Sequence, residues 1–141
     1  MIRTDTVVCA NLTLVGNDFD INYVTESLGV APTYTRSKDE ILGNGRRFGH
    51  TEWGIGTDCE ESLDIEVQFA KISNQFKGKE HELAKVSKYC NAEWSILIVI
   101  KIENGDIPAM VFTRSMLDFC NKIDAEIGFD IYVLSLYEET G

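Results

Sequence analysis

The sequence contains little of what a metal site or a thiol-based active site requires. Only two of its 141 residues are histidines, His50 and His81. Its four cysteines, at positions 9, 59, 90 and 120, form no Cys-x-x-Cys pair and no Cys–His cluster. The usual zinc and thioredoxin-like spacings are therefore missing. We expect no metal site and no cofactor.

Motifs for phosphate binding and for serine hydrolases are missing as well. The Gly43-Asn44-Gly45 stretch lacks the lysine of a phosphate-binding loop, and no Gly-x-Ser-x-Gly elbow occurs. Cys59 and His50 could be paired on paper as nucleophile and base, but such chemistry also needs an orienting group and an oxyanion site. We expect no catalytic residues, and hence a protein that binds rather than an enzyme.

Long apolar runs are absent. The longest, Ile96 to Ile100, is far too short to cross a bilayer, and the stretch from Met1 to Val8 lacks the apolar core of a signal peptide. These features predict a cytoplasmic protein whose thiols stay reduced. Within it, Cys9 and Cys120 are interpreted as small core residues, because each falls within an apolar pattern.

Basic residues are scarce, since 13 Lys and Arg stand against 23 Asp and Glu, for a net charge of −10. Nucleic acids and anionic membranes attract lysine and arginine, so neither is an expected partner. An acidic surface instead suits a basic protein, because complementary potentials speed encounter. Negative charge also serves solubility alone, and that is the simplest interpretation of any single acid.

Alternating and helical patterns predict a single α+β domain over residues 1–141, because strands and helices are interspersed without a linker. We expect a mostly antiparallel sheet with helices packed on one face, in the order β-α-β-β-α-α-β-β-α-β. The predicted elements are strand 6–15, a helix capped by Asp18 or Asp20 that ends at residue 28 before Gly29, strands 33–37 and 51–57, helices 58–76 and 79–89, strands 94–102 and 107–112, a helix capped by Thr113 or Ser115 that ends at residue 123, and strand 129–137.

Residues 63–76 fit two patterns. Leu63, Ile65, Val67 and Phe69 alternate as in a strand, whereas the apolar residues from Ile65 to Phe76 are spaced for one helix face. The helical period persists for longer, and acids precede it, as a helix N-terminus favours. We therefore predict a helix that begins at the acidic residues 58–62.

Two charged segments are candidate partner-binding surfaces. Within residues 51–66 there are six acids and no lysine or arginine, and such a run could mimic phosphates in a basic cleft. The second segment is a basic, aromatic loop. The candidate partner-binding residues are Glu52, Asp58, Glu60, Glu61, Asp64 and Glu66 in the acidic run, and Arg46, Arg47 and Phe48 in the loop.

A second acidic region lies near the C-terminus. Residues 91–141 hold nine acids and three bases, and Asp124, Glu126 and Asp130 could form a patch beside the last helix and strand. A solvated surface is the ordinary interpretation of all three regions. The basic loop could equally be paired with acids of the same chain.

Several short motifs resemble the domain-of-unknown-function 4279 family. They are LGVAPTYTRSKDE at 28–40, Thr51-Glu52-Trp53, the late helix 115–123, and Phe129-Asp130-Ile131-Tyr132. Family members typically carry a Leu-Gly-x-x-Pro-Thr turn, a tryptophan after a loop rich in Gly and Arg, and Asp-x-Tyr in the last strand. The similarity runs from about Val8 to Tyr132.

The resemblance implies a function but no catalytic residues. Some small acidic proteins of this kind are immunity proteins, including those of contact-dependent growth inhibition. We therefore expect an immunity protein that neutralises a cognate toxin domain, a basic nuclease for example, by occluding its active site. The alternative is a small-molecule-binding or regulatory domain. An uncharacterised enzyme is a third hypothesis.

Overall fold

The computed structural model describes residues 5–134, which fold as an α+β structure. Among these residues are six strands and four helices. The strands are β1 (Val7–Gly16), β2 (Tyr34–Arg36), β3 (Thr51–Gly56), β4 (Glu60–Glu61), β5 (Ala92–Ile102) and β6 (Glu126–Val133). The helices are α1 (Ile21–Leu28), α2 (Ile65–Ser73), α3 (Glu80–Cys90) and α4 (Arg114–Ile123). A short 3₁₀ turn, Asn74–Phe76, follows α2.

The strands form one mixed sheet in the order β2-β3-β1-β5-β6. The short β4 pairs with β1, on the same side of β1 as β3. All pairings are antiparallel except that of β5 with β6, which is parallel. The helix α3 connects into β5 and α4 connects β5 to β6, so the crossover through α4 supplies the parallel pair. As predicted, β5 lies inside the sheet.

The helices cover one face of the sheet, as the alternation predicted. Along β1 the side chains of Val8, Ala10, Leu12 and Leu14 are fully buried and belong to the same core as the inward residues of all four helices. The alternate residues of β1 and β5, such as Thr13 and Leu97, lie on the outer face and keep partial exposure.

Local signals fix where the helices begin and end. Asp20 caps α1 by accepting from the amides of Asn22 and Tyr23, and Gly29 ends it with a left-handed φ of 67°. Helix α2 presents Ile65, Phe69 and Ile72 to the core, which confirms the helical interpretation of this segment. Such caps satisfy amide and carbonyl groups that the helix leaves unpaired.

The prediction that α2 begins at residues 58–62 is wrong. Residues 60 and 61 form β4, which pairs with Val7 and Val8 of β1, and the helix starts at Ile65 with Asp64 as its N-cap. Thr57 explains the difference, because its backbone N–H donates to the carbonyl of Ala10 and its Oγ1 accepts from the amide of Ala10. The chain therefore continues alongside β1 before turning into the helix.

The predicted strand 107–112 does not form. This segment joins residues 63–65 instead: the amide of Ala109 donates to the carbonyl of Leu63, and its carbonyl accepts from the amide of Ile65. Pro108 has no N–H to give to a ladder. The position next to β5 is taken by β6.

The cysteine prediction is wrong in part. Cys9 and Cys59 form a disulfide, with their Cα atoms 4.3 Å apart, so these thiols are not free. Cys9 is buried, as predicted, but it lies on the outer face of β1, opposite the helices, because it alternates with the inward residues Val8 and Ala10. Cys120 is a buried core residue, as predicted.

No helix within residues 5–134 is long and apolar enough to span a membrane. The last strand, predicted to reach Tyr137, is described to Val133. Residues 135–137 of the predicted strand and the acidic tail Glu138–Gly141 lie outside the described residues.

Candidate protein-binding surfaces

Two acids of the predicted acidic run join separate elements of the fold. Glu60 forms an ion pair with Lys71 of α2 and accepts from Gln68 Nε2 at 3.3 Å. The hydrogen bond from Lys71, and then that from Gln68, lowers the pKa of the Glu60 carboxyl. Glu66 accepts from Thr113 Oγ1 at 2.9 Å, which joins α2 to the start of α4. Both carboxylates therefore contribute to the fold.

The remaining acids of the run are spread over several places. Asp64 caps α2, and Glu52 lies on β3 near the opposite end of β1 from Glu60 and Glu61. Asp58 is exposed, and Glu61 lies beside Asp5 and Asp106 at a depression of about 350 Å³. The six acids therefore do not form one surface. They would lie closer together if the helix began at residues 58–62, as the sequence predicted.

The basic loop packs against the outer side of β2 and β3. The Arg36 guanidinium lies 5.2 Å from the centre of the Phe48 ring, which is itself 4.4 Å from the His50 ring. His50 Nε2 is 2.9 Å from Glu52 Oε2. A cation–π contact, a contact between two rings and a hydrogen bond to a carboxylate thus link four side chains in the order Arg36, Phe48, His50 and Glu52.

The tip of the loop carries the two predicted basic residues, Arg46 and Arg47. The chain turns at residues 43–45, and Ile41 and Arg47 face each other across the turn in a single β-bridge. Arg46 and Arg47 are exposed. Arg47 Nη1 donates to the carbonyl of Asp39 at 3.4 Å. The loop therefore brings Arg46, Arg47 and Phe48 together, apart from most of the acidic run.

Tyr34 lies flat on the outer face of the sheet next to this loop. Its hydroxyl is hydrogen-bonded to Thr13 Oγ1, and its ring occupies the space where a side chain at Gly54 would stand. Partial burial raises the pKa of the Tyr34 phenol, the bond to Thr13 opposes this shift, and the charge of Glu52 adds to it. Gly54 is thus needed for this close packing.

The structure adds a surface that sequence reasoning missed. The inward-facing residues of β6 become more exposed along the strand: Ile127 and Phe129 are partly buried, but Ile131 is 46% and Val133 is 59% exposed. Their neighbours Ile100 and Ile102 on β5 are buried. The helical layer therefore leaves the second half of β6 uncovered.

Phe112, at the end of the segment 107–112, enlarges this surface. It is 43% exposed, and its ring lies 5.8 Å from that of Phe129 on β6. We call Phe112 together with the exposed inward side chains of β6 the apolar edge patch, which consists of Phe112, Ile131 and Val133. An apolar run at 107–112 was visible in the sequence, but its exposure follows from the tertiary structure alone.

Acids lie on the same strand as part of the apolar edge patch. Glu126 and Asp130 belong to β6, but they alternate with its inward residues and point to the outer face of the sheet, opposite Ile131. Asp130 Oδ2 accepts from the Tyr132 hydroxyl at 2.8 Å, and this bond raises the pKa of the tyrosine. Of the three acids predicted to form a C-terminal patch, Asp124 ends α4, while the other two are on the strand.

The pairing of Cys59 with His50 is not assembled, because Cys59 is bonded to Cys9 and His50 contacts Glu52. Among residues 5–134, no three His, Cys, Asp or Glu side chains are grouped so as to hold a metal ion.

The model of the family described as Domain of unknown function (DUF4279) matches residues 5–134. The chain belongs to the DUF4279 family. Comparison with curated proteins gave no significant match, and comparison with solved structures gave none either. The family match spans the whole of the sheet and the helices that cover it.

The motifs that resembled DUF4279 have clear structural roles in this member. Gly29 ends α1, and Trp53 is fully buried, with its indole N–H donating to Thr25 Oγ1 at 2.9 Å. Asp130 and Tyr132 are bonded to each other on the outer face of β6. In this DUF4279 chain, the late Asp-x-Tyr motif therefore lies on the same strand as Ile131 and Val133 of the apolar edge patch, but on the opposite face.

Proposed function

We propose that this protein is an immunity protein that binds a bacterial toxin domain and neutralises it by covering its active site. The toxin domain is basic, and a nuclease is the class that we favour. The observation that carries the proposal is the apolar edge patch, with carboxylates on the outer face of the same strand. Protein interfaces combine a few apolar or aromatic anchors with a polar rim that sets specificity.

The net charge of −10 supports a basic partner. A nuclease must attract phosphates, so its active site carries positive potential, and an acidic protein competes for that potential. The same charge opposes binding of this protein to nucleic acid or to an anionic membrane. Acids near the interface would speed association, while Phe112 and Ile131 would supply the buried contacts that slow dissociation.

A cytoplasmic location is part of this proposal, because an immunity protein acts where the toxin acts. The Cys9–Cys59 disulfide bears against it, since cytosolic thiols are kept reduced. Thiols can be trapped by alkylation at the moment of cell lysis. If the protein is cytoplasmic, Cys9 and Cys59 should both be trapped as alkylated thiols. A disulfide that is already present at lysis would place the protein in an oxidising compartment.

The test of the function uses the toxin domain encoded beside the gene for this protein. Calorimetry should detect a one-to-one complex, and co-expression should restore growth to cells that produce the toxin. A variant Phe112→Asp should lose both, while Tyr89→Asp, at another exposed aromatic residue, should keep both. Absence of both complex and protection would reject the proposal.

A further inference from the structure

We propose that the outer edge of β6 is a docking site for an extended, basic segment of a partner protein, which adds to the sheet as a further strand. This inference rests on the proposed function and states how the partner is held. An edge strand points every second N–H and C=O away from its sheet, and such groups are a template for another strand.

The two edges of the sheet differ in length and protection. At one edge, β2 has only three residues, ends in Arg36 and runs into the loop of residues 37–50. At the other edge, β6 has eight residues. Within residues 5–134, β6 pairs with β5 alone, so its second side has no strand partner there.

The edge of β6 lacks several of the devices that commonly prevent pairing. Natural edge strands are commonly short, interrupted by proline or a bulge, or protected by lysine. β6 contains no proline, lysine or arginine, and none of its residues has a positive φ. Its inward positions are all apolar, from Ile127 to Val133, so no buried charge opposes a neighbour.

Side chains at this edge would supply contacts beyond the backbone. Ile131 and Val133 are about half exposed, at 46% and 59%, on the side of the sheet that carries the helices. An added strand would place its own inward side chains next to them, close to Phe112, and would bury this apolar surface. Burial of apolar surface is the main favourable contribution to such association.

The charge of the edge selects the chemistry of the partner. Residues 124–134 contain Asp124, Glu126 and Asp130 and no lysine or arginine. If the β6 strands of two copies paired, four carboxylates, two from each chain, would lie on adjacent strands with no lysine or arginine on either. Like charges on adjacent strands destabilise their pairing, and opposite charges stabilise it. A strand that alternates basic and apolar residues therefore fits, whereas a second copy does not.

The test uses the full-length chain and a peptide of alternating lysine and valine, as long as β6. We expect the peptide to slow amide hydrogen exchange in β6 by at least about tenfold, while β2 stays unchanged. A control peptide carries N-methyl groups on alternate residues, so it keeps its charge and side chains but cannot complete a ladder. It should give no protection. Equal effects from both peptides, or no effect from either, would overturn the inference.

Two variants separate the edge from general charge attraction. Ile131→Lys places a repelling charge on the edge and should weaken peptide binding at least about tenfold. Ile41→Lys makes the same change at an exposed isoleucine of the loop and should bind as the native chain does. Thermal unfolding of each variant checks that the fold is intact. Equal loss in both variants would show attraction without a site and overturn the proposal.

The remaining outcomes identify other occupants. If the β6 amides that point away from β5 are already protected in the free chain, or if ultracentrifugation shows a dimer in which these amides are protected, the edge is occupied by this protein itself and the inference fails. The proposed function can fail separately. A toxin complex without protection of β6 would refute the edge site alone, whereas peptide docking at β6 without toxin binding would refute the immunity function alone.

Discussion

The fold leaves no room for a side chain at Gly54. A Cβ at this position would overlap Cε1 and Cζ of the Tyr34 ring. We expect Gly54→Ala to lower the free energy of unfolding by about 1–3 kcal/mol, because overpacking forces the ring from its place. Urea denaturation measures this change. Gly43→Ala, at a glycine with no atoms within 4 Å of the added methyl, is the control.

The Tyr34→Ala variant completes the test of this contact. Once the ring is removed, the Gly54→Ala change should cost much less than in the native chain, since the two residues interact directly. Equal costs in both backgrounds would show that the methyl group clashes with something other than Tyr34.

Two free cysteines should differ in reactivity. Burial raises the pKa of the Cys120 thiol to about 11 and also raises that of the half-buried Cys90. Only thiolates react rapidly, so at pH 8 we expect Cys90 to be alkylated slowly and Cys120 to react only after unfolding. Mass spectrometry of the labelled peptides provides the readout. Rapid labelling of Cys120 in the folded protein would contradict its burial.

Single residues could be predicted from the sequence where local chemistry decides their role. Asp20, Gly29 and Thr113 act as helix caps because their own side chain or backbone satisfies the nearest turn. The Cys9–Cys59 disulfide could not be predicted, because nothing local brings residues 50 positions apart together. Its formation depends on the path of residues 57–61 along β1.

At the scale of elements, that disulfide joins β1 to the segment that leads into β4. Closing a loop of 50 residues restricts the unfolded chain, so reduction should lower stability by about 2–4 kcal/mol. Urea denaturation with and without a reductant tests this. A chain with both Cys9→Ser and Cys59→Ser should not respond to the reductant. Identical midpoints for the native chain in both conditions would argue against the bond.

The start of α4 is a second element whose stability rests on one side chain. Thr113 Oγ1 accepts from the amide of Met116 and donates to Glu66 of α2. Thr113→Val removes both bonds at similar volume and should cost about 1–2 kcal/mol in thermal or urea unfolding. Ser115→Ala, at an exposed position one residue into the helix, should change stability by less than about 0.5 kcal/mol. Equal costs would reject the capping role.

Strong periodicity allowed most elements to be predicted, and competing signals explain the two errors. The alternation of β1 and β5 and the helical spacing of α4 each identify one buried face. Residues 58–62 have the acids of a helix start, but Glu60 and Glu61 pair with β1. Residues 107–112 have the apolar content of a strand, but their one β-bridge is that of Ala109 to Asp64. Tertiary pairing decides both.

At the scale of the molecule, the candidate residues chosen by charge proved to be dispersed. Glu60 and Glu66 contact other elements of the fold, while Arg46, Arg47 and Phe48 share one loop. The apolar edge patch could not be predicted, because the sequence does not reveal how far the helices extend over β6. Exposure of an inward strand face is a property of the assembled layers.

Charge should govern how fast the partner binds. If carboxylates near β6 steer a basic toxin domain, the association rate should fall by about tenfold or more between low and high salt, with little change in dissociation. The double variant Glu126→Gln, Asp130→Asn should weaken this salt dependence. The variant Glu80→Gln, Glu82→Gln on α3 removes the same charge elsewhere. Stopped-flow mixing measures these rates, and equal effects of the two variants would point to net charge alone.

The most direct measurement is a titration of the toxin domain's activity with the full-length protein. We expect activity to fall linearly to zero at one equivalent, because the bound protein covers the active site, and we expect Phe112→Asp to abolish this inhibition. A stoichiometric complex in which the toxin domain remains fully active would contradict the account, as would full inhibition by the Phe112→Asp variant.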